Sequence, residues 1–212
     1  MQCIHNDRQG NKNVTVLRRF GAIAVAATAS LLMGQTIFAQ NLYWDANGSA
    51  AGSGANVSGT WGIDNNWNTA STGIGLPGAW VSGDFAIFSA GTDAVSGLVT
   101  VSGTQTASGI TFQDGVVTLA PGIPSDTLAL TGGSTINVNA APVKATISCV
   151  ITGSNGLTKG LAGELVLSGA NTFTGNLTNA AGTITLNNDQ AGGPGPIVLS
   201  PAAPVTLHSS QP

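Results

Sequence analysis

The chain has 212 residues, 42% of them apolar and 7% charged, with 30 glycines and a formal net charge of −3. Intrinsic disorder needs the reverse balance, high charge with few apolar residues, so a disordered chain is excluded. Six basic residues over the whole length are too few to neutralise a phosphate backbone, which excludes nucleic acid as a partner. The abundant Gly, Thr, Ser and Asn mark frequent turns between short strands.

The first predicted element is a targeting segment. Arg18 and Arg19 precede an apolar run from Phe20 to Met33, and Ile37-Phe38-Ala39 ends on a small residue suited to cleavage. This pattern predicts a secretory signal peptide over residues 1–39. The alternative is an uncleaved anchor over residues 20–39, a span long enough for a bilayer. Cleavage removes Arg8, Lys12, Arg18 and Arg19 together with Asp7, leaving eight acids against two bases, Lys144 and Lys159, a net charge of −6. No arginine remains, so an anionic membrane surface is an unsuitable partner, and no integral span is expected after the signal. Cys3 leaves as well, and Cys149 alone cannot form an intramolecular disulfide.

Residues 40–97 come next, holding the single tyrosine, Tyr43, and all four tryptophans, Trp44, Trp61, Trp67 and Trp80. Two readings stand side by side. Large aromatics plug the exposed core end of a stack of strands, which predicts an N-terminal cap. Flat indole faces also stack on pyranose rings. With Asp45, Asp64, Asn65 and Asn66 to bind hydroxyls, the four tryptophans are then candidate carbohydrate contacts.

From Val99 onward the chain repeats a small unit, two apolar residues flanking one polar or small residue. Val99-Thr100-Val101, Ile110-Thr111-Phe112, Val117-Thr118-Leu119 and Ile136-Asn137-Val138 are examples. Period-two alternation buries one face of a strand and wets the other. Val99, Val117, Ile136, Leu157, Leu177 and Val198 form one ladder, and Ile110, Leu128, Ile147, Leu165, Ile184 and Val205 a second. Both advance by a shared period of about twenty residues, as stacked coils require. The expectation is an all-β, single-stranded parallel β-helix (β-solenoid) of about six coils with a Trp-rich N-terminal cap. Neighbouring coils then complete one another's core. Cys149 shares the inward register of Ile147, which predicts a buried, inert thiol.

The segment Gly153 to Leu186 carries the most specific pattern. Gly156-Leu-Thr-Lys159 opens it, Gly163 and the strand Leu165-Val166-Leu167 follow, then SGANTFTG (Ser168 to Gly175) and a second strand, Thr183 to Leu186. It resembles the autotransporter-associated β-strand repeat of long bacterial surface and secreted proteins. WDANG, SGTW, NNWNT and the GDFAIF strand of the first region resemble the opening of secreted β-helix proteins with that repeat. The resemblance implies a right-handed parallel β-helix outside the cell, and no reaction. The expected organisation is a signal peptide at 1–39, the cap and first strands at 40–97, the β-helix at 98–208 with one repeat at 153–187, and a tail at 209–212.

Catalytic and metal motifs are sparse. Asp45-Ala-Asn47-Gly48 has the opening of a calcium loop. The twelfth position is Asn56 where a bidentate Glu is needed, so an Asx-turn is the expectation. Glycine-rich stretches lack the Gly-Lys-Ser/Thr ending of a phosphate loop. Asp93 and Asp114 sit one coil apart and are either a stacked pair or two turn residues. No catalytic residue, metal or cofactor is assigned, and no enzyme is expected. The expected function is a secreted or cell-surface structural or adhesion-type module. The alternatives are a carbohydrate-binding cap and a polysaccharide-cleaving β-helix. Expected partners are surface glycans, or an export or surface partner. The residues after Leu186 leave no room for an export barrel or an apolar anchor, so the last coil, at Val198 and Val205, is expected to keep an uncapped edge. Such an edge predicts edge-to-edge self-association, and a shortened family member or truncated product.

Overall fold

The alternation of apolar and small polar residues folds into two parallel sheets that enclose one core. A computed structural model describes residues 39–200 and the backbone of one further strand, Val205–Ser209. These residues lie in a unit spanning 37–212. The signal peptide or anchor expected at 1–39 lies outside the described residues, apart from its last position, Ala39. No helix occurs among the described residues.

The strands in chain order are β1 (Asn41–Trp44), β2 (Gly59–Trp61), β3 (Trp67–Asn68), β4 (Phe85–Phe88), β5 (Ser96–Val101), β6 (Thr104–Phe112), β7 (Val116–Pro121) and β8 (Thr127–Val138). Then come β9 (Lys144–Ile147), β10 (Val150–Thr152), β11 (Leu157–Gly160), β12 (Glu164–Leu167), β13 (Leu177–Asn179), β14 (Gly182–Leu186), β15 (Ile197–Leu199) and β16 (Val205–Ser209). One sheet runs β3-β1-β4-β6-β8-β11-β13-β15, with β10 beside β8, and the other runs β2-β5-β7-β9-β12-β14-β16. Among the described residues every pairing between two strands is parallel except that of β1 with β3. A chain that alternates between two sheets and always returns parallel to itself is a solenoid.

Like stacks on like inside it. Val99, Leu119, Ile147, Leu167 and Leu186 form one column of the second sheet, and Val117, Ala145, Leu165 and Ile184 another. Leu42, Ala86, Ile110 and Ile136 form a column of the first sheet, beside Phe88, Phe112 and Val138. Nearly all of these side chains are buried, and each large one contributes about 1.5–3 kcal/mol by leaving water.

The coil count is corrected to about five turns. Five coils, β4–β5, β6–β7, β8–β9, β11–β12 and β13–β14, have parallel neighbours on both sides in both sheets. The shared period fails at β8, a strand of 12 residues. Leu128 and Ile136 lie on this one strand and make one coil between them, not two. The expected ladders also change sheets there. Val99 and Val117 belong to the second sheet but Ile136, Leu157 and Leu177 to the first. Ile110 and Leu128 belong to the first but Ile147, Leu165 and Ile184 to the second. Aligned positions Ser96, Val116, Lys144 and Glu164 show why, with steps of 20, 28 and 20 residues. The eight added residues are spread over three places: three in the turn before β8, three in the irregularity inside it at 131–134 and two in the turn before β9, while β10 pairs with the first half of β8. Further on the 20-residue step returns, with Leu157 over Leu177 over Ile197. Val198, the expected rung, lies one position off and pairs with Thr178.

Candidate functional site

Two places combine aromatic, charged and hydrogen-bonding side chains: the cap at the N-terminal end and the corner after β11. In the cap, Trp44, Trp61 and Trp67 are 0%, 0% and 2% exposed, while Trp80 is part-buried against them. Trp44 meets Trp67 edge to face at 5.1 Å between ring centres, Trp61 meets Trp80 at 5.0 Å, and Trp67 lies 4.5 Å from Trp80. Phe88 continues the cluster and stacks on Phe112 at 5.3 Å, one coil further in. The aromatics therefore close the end of the core. This corrects the expected row of carbohydrate contacts. Trp44, Trp61 and Trp67 have no face for a sugar because each ring packs on its neighbours, and of the four only Trp80 keeps a partial outlook.

The strand edges at this end are closed too. Antiparallel β3 covers β1, aligning Trp44 with Trp67. Gly78 in turn exchanges two backbone hydrogen bonds with Trp67. On β2, Thr60 N–H donates to Asp64 Oδ2 at 2.6 Å, and Thr60 O accepts from the N–H groups of Ile63 and Asp64. The backbone groups that would recruit another strand are thus occupied. Asp64→Ala is expected to open this edge and raise the solution mass with concentration in light scattering, leaving the circular dichroism of the strands intact. A mass equal to that of the parent at every concentration would argue against edge closure by Asp64.

Asp45, Asp93, Asp114 and Asp126 are held at turns. Asp45 is fully buried, with Oδ1 accepting from Asn47 N–H and Oδ2 from Asn68 Nδ2, and burial raises its carboxyl above the ordinary value. The Asx-turn expected into Gly48 is present, with Gly48 at φ 80°. Asp93 accepts from the backbone of Ser53 and Gly54, Asp114 from Ala94, and Asp126 from Gly103 and Ile123. Asp93 and Asp114 therefore each fasten a turn across coils instead of facing each other as a reacting pair. Burial pushes the Cys149 thiol up to about 12, so it is inert as expected.

The corner after β11 explains the repeat motif. Leu157 points inward, so Lys159 two positions on must point inward as well, and it is fully buried. Its Nζ donates to Gly160 O at 2.9 Å, Leu161 O at 2.6 Å and Ala181 O at 2.8 Å. The first two carbonyls belong to its own corner and the third to the next coil. Burial pushes the Lys159 ammonium down to about 8. Asn179, directly beneath Lys159 in register, donates to Gly182 O. Gly163 is required because a Cβ there would run into Asn139 O and Val138. Asn171 accepts from Ile151 N–H and donates to Ala191 O, tying three coils together, and Phe173 beside it is buried. Sequence reasoning missed the role of Lys159, although period-two alternation from Leu157 carries the signal. Lys144, the other base of residues 40–212, pairs with Glu164 at 3.0 Å across β9 and β12 in a half-exposed contact worth little.

Coils closed by aromatics at one end and stapled by Lys and Asn at their corners define a parallel β-solenoid. The chain is similar to the adhesin BmaC autotransporter of Brucella suis biovar 1 (strain 1330), with 37% identity over 185 residues, and the solenoid is consistent with a passenger-type segment. That match covers 85% of this chain and 5% of the adhesin's own length, so the chain corresponds to a small part of it. No family model matches the chain. No solved structure matches it either.

Proposed function

We propose that the chain is a secreted or cell-surface, non-catalytic adhesion module, a passenger-type solenoid whose outer faces meet a host or neighbouring surface. The likeness to an autotransporter adhesin over 85% of the chain carries this reading. The fold supports it, since stacked coils present long, rigid, nearly uncharged faces suited to contact. The non-catalytic reading is supported by Asp45, Asp93, Asp114 and Asp126, which hold backbone amides at turns. No helix among the described residues is long and apolar enough to cross a membrane. The organisation proposed is a signal peptide at 1–39, a cap with the first strands at 40–97, the solenoid at 98–208 and a tail at 209–212. Beads coated with the purified chain are expected to attach to epithelial cells or matrix proteins in a saturable way, and soluble chain should compete them off. Attachment equal to that of albumin-coated beads across such a panel would defeat the reading.

A further inference from the structure

The one indole that keeps an outlook does not lie on a flat surface. Trp80 lines a cavity of about 220 Å³ together with Gly62, Ile63, Asp64, Ser82 and Gln105. We infer that this cavity is a binding site for a single neutral sugar ring, with Trp80 as its stacking wall.

Size sets the first limit. Pockets for drug-sized ligands start near 300 Å³, so this one holds a single ring and not a chain of several. The wall is apolar where a ring would stack. Trp80 Nε1 is buried without a hydrogen-bond partner, so the part of the indole facing the cavity is ring carbon. Trp61 and Trp67 hold that ring from behind at 5.0 and 4.5 Å, which fixes its angle without ligand. Ile63 adds an exposed apolar side chain at the rim.

The polar groups set the second limit. Asp64 is anchored through Oδ2 to Thr60 N–H, which leaves Oδ1 to accept another bond. Gln105 is anchored through Nε2 to Ser102 O at 2.6 Å, which leaves Oε1 as an acceptor. Ser82 Oγ can both donate and accept. The site is therefore rich in rigid acceptors, and its ligand must bring donors. A ring with several hydroxyls beside an apolar face meets both demands at once. The Asp64 charge, with no base lining the cavity, disfavours anionic sugars.

The inference deepens the adhesion reading and rests on it for its setting. The two are measured separately, since sugar binding needs no cell and cell attachment needs no free sugar. The test is proton–nitrogen NMR of the full chain titrated with glucose, galactose, N-acetylglucosamine and glucuronate, with the Trp80 indole signal assigned through Trp80→Phe. At least one neutral sugar is expected to shift the Trp80 indole and the Gln105 side-chain amide saturably, in the millimolar range suited to so small a ligand. Gln105→Ala, which leaves the aromatic cluster in place, should weaken that binding about tenfold, the worth of one good hydrogen bond. Glucuronate should not bind. The inference is overturned if no neutral sugar gives a saturable shift, if Gln105→Ala binds as the parent does, or if glucuronate binds as well as the neutral sugars.

Discussion

Trp44→Ala is expected to remove about 3–5 kcal/mol of stability, the usual cost of emptying a buried aromatic site. Trp44 is fully buried, touches Trp67 and Phe88, and donates from Nε1 to Val57 O at 2.8 Å. Alanine leaves a cavity at the centre of the plug and an unsatisfied carbonyl on Val57. A domain stable by about 5–15 kcal/mol loses a large share of its margin in this way. The loss should also be local. Solenoid coils contact only their neighbours, so the cap and β4–β5 are expected to open before β11–β14. Urea denaturation followed by tryptophan fluorescence and by far-ultraviolet circular dichroism distinguishes the outcomes. Fluorescence should change first in Trp44→Ala, because its three remaining tryptophans, Trp61, Trp67 and Trp80, all lie in the cap. A single coincident transition at the parent's midpoint would show that the cluster is not what holds this end.

The architecture was legible because alternation and stacking are both written in residue type. Val99-Thr100-Val101 places its two valines inward, and both are buried. The repeat from Gly153 to Leu186 was legible in more detail, since β12 and β14 fall where its two strands were expected. What failed was the assumption of a constant period. Gly132-Gly133 lies inside β8 and reads as a turn between two strands, but the chain passes through it within one strand that bends. Nothing in residue type separates a glycine pair that ends a coil from one that kinks it; the distinction depends on which neighbours pair on either side. The cap shows the same limit. Four tryptophans near Asp and Asn fit a plug or a platform equally well as a list of residues. Phe88 and Phe112 decide between them, because together they extend the core to the end of the stack and the indoles must cover it. Lys159 counts as one of only two lysines beyond residue 39, and its alternation with Leu157 already places it inside.

The buried Lys159 leads to the largest expected pH effect. Its ammonium is held near 8 in the folded chain against 10.5 when unfolded, by burial. Between these values the unfolded chain binds a proton that the folded chain does not, so stability rises with pH across the window. Cys149 acts in the opposite sense. Its folded value near 12 against 9.0 means that the unfolded chain releases a proton first, and stability falls from pH 9 to 12. The two slopes cancel where they overlap. Stability should therefore climb from pH 8 to 9, stay level to about 10.5 and then fall, with a full rise from Lys159 alone of about 3 kcal/mol. Two substitutions separate the contributions. Cys149→Ala should let the climb continue to about 10.5, giving that full rise. Lys159→Met should abolish the climb and leave a decline that starts near pH 9. Urea midpoints measured at half-unit steps of pH test both. A climb that survives in Lys159→Met would place its source in another group. At neutral pH the same substitution should still destabilise the corner, because the carbonyls of Gly160, Leu161 and Ala181 lose a shared donor and each buried acceptor left unmade costs about 1–3 kcal/mol. The lysine of the repeat motif thus fastens one coil to the next by hydrogen bonds to backbone oxygen.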